Sequence, residues 1–149
     1  MTDHAKVRLT TGDVLIVQTG DIGPVVVAPR DHDGAGCHAL IVARPRPDTM
    51  SGEFLSLVLN SDCGYNALKR IQTGASHLHL DCTYVREVPV PVPPLIEQQA
   101  VVEEAEHRMT ALDGLVARNR EVIDRLQEYR TALISAAVTG KIDVREARA

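Results

Sequence analysis

Val88-Pro89-Val90-Pro91-Val92-Pro93-Pro94 is the stretch at which the chain changes character. Four prolines within six positions lock φ and push each preceding residue out of the helical region, so the stretch reads as an extended strut. Upstream, short β-rich pieces alternate with Gly, Asp and Pro. Downstream there is no proline, and glycine occurs only at Gly114 and Gly140. This sets a boundary near residue 94. Residues 1–94 form a small α+β domain, and residues 95–149 form a long helix with a C-terminal tail.

Val102, Ala105, Met109, Leu112, Val116, Asn119, Ile123, Leu126, Arg130, Leu133 and Ala137 alternate in steps of three and four, the a/d pattern of a coiled coil. The spacing predicts one helix from about Ile96 to Val138, roughly 60 Å long at 1.5 Å per residue. It should project beyond the first domain, and Gly140 supplies the left-handed stop. So long a stripe needs a partner helix to bury it. The interface falls on Met109, Leu112, Val116, Asn119, Ile123, Leu126 and Leu133. Asn119 and Arg130 are polar residues on the stripe, of the kind that fixes register, and Asn119 near its middle would meet its own copy in a two-fold pair. Gly114 points outward. Ten acidic and eight basic residues from Ile96 onward describe a solvated face rather than a phosphate-binding arm.

In the first domain, Asp13–Gln18 and Val25–Ala28 read as strands joined by the hairpin connection Thr19-Gly20-Asp21-Ile22-Gly23-Pro24. Asp31–Gly36 reads as loop and Ala39–Ala43 as a third strand. Helices are expected at Glu53–Asn60 and Ala67–Gln72, and a further strand at Thr83–Val88. The alternation His77-Leu78-His79-Leu80 also reads as strand, with its polar residues on one face.

A chain of 149 residues with 44% hydrophobic and 24% charged residues is foldable and of single-domain size. It contains no apolar run of the roughly 20 residues a membrane span needs, and residues 1–9 hold no apolar signal core. Three cysteines do not close a disulfide framework, and together these features point to the cytoplasm. A net charge of −4 announces no nucleic-acid partner.

Cys37, Cys63, His77, His79 and Cys82 lack the spacing of a zinc ligand set, so no metal is expected. Gly20-Asp21-Ile22-Gly23 lacks the third glycine and the following helix of a dinucleotide fingerprint. No Ser, His and acid are arranged as a nucleophile motif, so no catalytic site is expected. Two polar runs suit DNA: Arg44-Pro45-Arg46, and the run Lys69 to His77. The first offers Arg44 and Arg46. The second offers Lys69 and Arg70 for phosphates, with Gln72, Thr73, Ser76 and His77 able to bond phosphates or base edges.

The order of the pieces carries a resemblance. Thr11-Gly12-Asp13-Val14-Leu15, Gln18-Thr19-Gly20-Asp21-Ile22-Gly23, Leu55–Ser61 and Thr73-Gly74-Ala75-Ser76 together look like the later part of a recognition domain of type I restriction–modification specificity subunits. Val90-Pro91-Val92-Pro93-Pro94-Leu95-Ile96-Glu97-Gln98 resembles the proline-rich lead into that family's spacer helix. The stretch Glu128 to Asp143 is similar to the close of its C-terminal helix. The resemblance implies a non-catalytic reader of double-stranded DNA. In the family, two recognition domains each read half of a split site. Two long helices form an antiparallel coiled coil that docks the modification (methyltransferase) subunits. S-adenosylmethionine is bound by those partners, and ATP drives a separate restriction subunit, so no cofactor is expected here. With one recognition region and one helix, and Met1 just before the middle of the expected domain, the resemblance implies a truncated or split specificity chain. Such a chain would pair with itself or with another specificity chain. The competing reading is a coiled-coil interaction module, or a remnant, without useful DNA affinity. The two readings divide on whether Arg44, Arg46, Lys69 and Arg70 share one face.

Overall fold

The computed structural model describes residues 7–20, 24–38 and 40–142. Its centre is β2 (Val14–Val17), which pairs antiparallel with β3 (Val26–Val27) on one side and β5 (Leu40–Ala43) on the other. Val14 lies opposite both Val27 and Ala43, and Val17 lies opposite Leu40. β1 (Val7–Arg8) and β4 (Gly36–Cys37) form a separate antiparallel ribbon. Because side chains alternate along a strand, β2 feeds two cores. Val14 and Ile16 join Val25, Ile41, Leu59, Leu68 and Leu80, while Leu15 packs with Leu9 and Ala28 on the ribbon side. The run Val-Leu-Ile-Val is therefore unbroken by polar residues because both of its faces are covered.

Two helices form the first core's other wall. α1 (Gly52–Asn60) starts at Ser51, whose Oγ accepts from the Phe54 N–H at 3.0 Å. α2 (Asp62–Arg70) follows after a single residue. Ser61 closes α1 by donating its N–H to Leu57 and Val58 carbonyls, and opens α2 by accepting from the Gly64 N–H at 3.2 Å. α2 thus begins at Asp62 and ends at Arg70, not the expected Ala67–Gln72. Its first turn is polar and carries no apolar period to announce it.

Thr83–Val88 is not a strand. Residues Cys82–Arg86 form the short helix α3, whose cap is Asp81, accepting from the Thr83 N–H at 2.7 Å. The β-branched residues there misled because one capped turn outweighs their intrinsic preference. That bond, first of all, holds the Asp81 carboxyl below the ordinary carboxylate range. His77–Leu80 is not a regular strand either, since only His79 pairs, bridging Thr19 and Thr73. Leu80 is buried, but Leu78 is exposed alongside the histidines. The expected 31–36 loop contains a 3-10 turn at Arg30–His32 and runs into β4, and the β1–β4 ribbon had no periodic signal. Residues 21–23 of the hairpin connection and residue 39 lie outside the described residues.

The strut at 88–94 lays Val88 and Val90 against the first core. It leads into α4 (Leu95–Val138), a single 44-residue helix that runs unbroken through Gly114. Gly140 follows with φ +73°, the left-handed stop. By contacts the chain divides into two units, Met1–Glu104 and Ala105–Ala149, so the opening turns of α4 belong with the first.

Candidate functional site

The polar run after α2 folds into a small hairpin. Thr73 and His79 exchange backbone bonds, each N–H reaching the other's carbonyl at 2.9 Å, and Thr73 Oγ1 lies 3.1 Å from His79 Nε2. The hairpin is tied to the end of β2 by Gly20 N–H to Leu78 O at 2.9 Å and Leu80 N–H to Gln18 O at 2.8 Å. Gln72 Nε2 adds a bond to Gly20 O at 3.2 Å. Gly74 is required here: its φ is +107°, and a Cβ would strike the His77 carbonyl. Ser76, His77 and Leu78 border an open shelf with Thr19 and Gly20. Lys69 and Arg70 are exposed in the last turn of α2, with Lys69 Nζ 5.8 Å from the Tyr65 ring centre. Thus Lys69, Arg70, Thr73, Ser76 and His77 are all exposed around one helix–hairpin junction, with Gln72 half-buried beside them.

Arg44 is elsewhere and differently employed. It follows Ala43, which pairs with Val14 at the opposite end of β2 from Gly20. Its Nε and Nη2 donate to the two carboxylate oxygens of Asp13, both at 2.7 Å, and Nη2 also reaches the Arg8 carbonyl at 3.1 Å. Asp13 is 1% exposed and also accepts from the Thr10 N–H at 2.8 Å, so its carboxylate locks the Gly12 turn to β5. The Arg44 bond is the main cause holding Asp13 below the ordinary carboxylate range. Arg46 is exposed. The sequence-chosen cations therefore form two groups at the two ends of β2, not one patch.

The ion pair has a pH signature. A depressed carboxylate stabilises the fold fully above its unfolded value of 3.8, and that contribution disappears as the pH falls through the lower folded value. We expect Asp13→Ala to cost about 2 kcal/mol at neutral pH, and the gap from wild type to narrow below pH 4. Urea unfolding at pH 7 and at pH 3 checks both; a constant gap would mean that Asp13 is not held ionised by Arg44.

Sequence reading missed Gln98. It is wholly buried in the first turn of α4. Its Oε1 accepts from the Ser51 N–H at 2.9 Å, and its Nε2 donates to Thr49 O and Pro93 O at 2.8 Å each. A backward extension of the heptad places Gln98 on a d position, and that polar interruption was the available signal.

Farther along α4 the stripe lies open. Met109, Leu112 and Leu126 are about 60% exposed, and Val116, Ile123 and Leu133 are exposed as well. Asn119 lies among them, also exposed. Among the described residues no three His, Cys, Asp or Glu side chains gather as a metal site, and no helix is long and apolar enough to cross a membrane.

No model of a known protein family matches the chain. The fold is nevertheless shared. The crystal structure of the HsdS subunit from Thermoanaerobacter tengcongensis superposes with a TM-score of 0.67 at 22% identity, over 97% of this chain and 37% of that one. The molecule thus has the mixed α/β, long-helix fold of that subunit. Curated sequence relatives agree. The type I restriction enzyme EcoKI specificity subunit of Escherichia coli K12 is 28% identical over 109 residues, which is 73% of this chain and 23% of that protein. The EcoBI specificity subunit of Escherichia coli is 31% identical over 64 residues, 43% of this chain and 14% of that protein. The StySPI specificity subunit of Salmonella potsdam is 26% identical over 110 residues, 73% of this chain and 23% of that protein. The chain is thus similar to part of the type I restriction enzyme specificity subunits, and it spans less than a quarter of each of these relatives.

Proposed function

We propose that this chain is a non-catalytic, cytoplasmic specificity component of a type I restriction–modification complex. Its first unit contacts double-stranded DNA, and α4 docks the modification subunits and a second specificity helix. S-adenosylmethionine and ATP belong to the modification and restriction partners. The observation that carries the reading is the open apolar stripe of α4 on a chain whose sequence relatives are specificity subunits. A stripe of this length is stable in water only when another helix covers it.

For DNA, the junction of α2 with the 72–80 hairpin is the better candidate. Among the described residues Lys69 and Arg70 take part in no ion pair, whereas the guanidinium of Arg44 is engaged by Asp13. Replacing both Lys69 and Arg70 by Ala should weaken DNA binding and reduce the slope of log K against log salt by about 1.8, the loss of two phosphate contacts. A salt-titrated binding assay, with and without a modification subunit, measures it. Unchanged affinity and slope would remove this surface from the interface.

The separation of the cations to opposite ends of β2 favours the second reading, an interaction module without useful DNA affinity. In that case the same assay gives no salt-dependent binding for the wild-type chain, while the modification subunit still associates with it.

A further inference from the structure

We infer that the antiparallel pairing of two α4 helices, already expected above, takes one register, which is set by ion pairs between Asp113 of each copy and Arg120 of the other. The inference rests on the proposed role of α4 as a docking helix and specifies its occupant. In an antiparallel coiled coil an a residue stacks on a d residue of the partner, so permitted registers differ by whole heptads. In one of them Val116 faces Asn119, Leu112 faces Ile123 and Met109 faces Leu126, each contact occurring twice by symmetry. Arg130 then lies against the small Ala105, which leaves its guanidinium room to reach water. Asn119 faces Val116 and not its own copy.

The flanking charges choose among the registers. Asp113 and Arg120 both occupy e positions, which face e positions of an antiparallel partner. In the register above, Asp113 meets the partner's Arg120 on both sides of the two-fold axis. Sliding one helix by a heptad in one direction sets Arg120 against the partner's Arg120. Sliding it the other way sets Asp113 against the partner's Asp113. A parallel pair in register fares no better, because it stacks Arg130 on Arg130 within the seam. Like charges in such positions oppose pairing, and opposite charges select it.

Both side chains are exposed, and neither takes part in an ion pair among the described residues. Glu121 and Arg125, on the outward face, are by contrast joined at 2.6 Å within the helix. The stripe is thus charge-complementary to itself in one arrangement, which argues for a second copy as its occupant.

A charge-swap experiment on the full chain tests the register, with sedimentation equilibrium as readout and circular dichroism to check helix content. Asp113→Arg alone and Arg120→Asp alone should each weaken the wild-type dimer on the order of tenfold or more. The double variant should pair like wild type. An equimolar mixture of the two single variants should form a heterodimer tighter than either homodimer. Single variants that pair like wild type, or a mixture no tighter than its components, would overturn the register. A wild-type chain that stays monomeric at 100 µM (about the upper range for a physiologically meaningful dimer) would overturn self-pairing itself. In that case continued association with a modification subunit leaves the specificity role standing, and loss of both removes it too.

Discussion

Gln98→Glu should be the most damaging single-atom change in the chain, lowering stability by about 3–5 kcal/mol at neutral pH. The amide answers three backbone groups at once, the Ser51 N–H and the carbonyls of Thr49 and Pro93. Glu retains the acceptor for Ser51 but turns the other oxygen toward two carbonyl oxygens, in a site with no solvent exposure. Such a carboxyl takes up a proton to survive, so its folded pKa rises above the unfolded value. The sign follows: the folded state binds the extra proton, and the variant recovers stability relative to wild type as the pH falls. Protonated Glu donates one bond, not two, so recovery is partial. Gln98→Ala, which removes donor and acceptor together, should cost a similar amount with no such pH dependence. Denaturant titrations of all three proteins at pH 7 and pH 5 check this. Equal loss for Glu at both pH values would mean that the side chain escapes to water.

Gly64→Ala should cost about 2–4 kcal/mol, although Ala is the better helix former by about 1 kcal/mol. A Cβ at Gly64 would run into the Val58 carbonyl and the Leu59 backbone, so α2 has to move off the end of α1. Both obstacles are main chain and cannot rotate away. Leu68, fully buried in the last turn of α2, would be drawn out of the core with it. The same movement displaces Lys69 and Arg70, so the DNA contact proposed for them should weaken even where the protein remains folded. Thermal unfolding gives the stability loss. An increase in melting temperature would show that the corner relaxes and that helix propensity wins.

What the sequence conveyed was set by periodicity. The α4 stripe repeats over five heptads, and helix existence and extent follow from it to within a residue. β2, β3 and β5 were visible as β-branched runs with glycine between them. The shorter pieces were decided by single hydrogen bonds, which have no period. Asp81 capping one turn converts an apparent strand into α3, and Ser61 starts α2 five residues before any apolar repeat. The candidate site was legible in part for the same reason. The run from Lys69 to His77 is contiguous, so its grouping was plain. Arg44 looked equivalent, and only pairing of β2 with β5 reveals that Asp13, 31 positions earlier, occupies its guanidinium. Gln98 was hidden because two of its three partners, Ser51 and Thr49, lie 47 and 49 positions earlier in the chain.

Ser61 serves as the last bond of one helix and the first of the next. Fraying normally begins at helix ends, where bonds lack a neighbour on one side. Here the inner ends of α1 and α2 share one residue and one set of bonds, so neither can loosen there without the other. The two helices therefore open as one cooperative unit, anchored in the core by Leu59 on one arm and Leu68 on the other. Lys69 and Arg70, carried at the far end of that unit, keep a fixed direction on the timescale of its opening rather than on that of a loop.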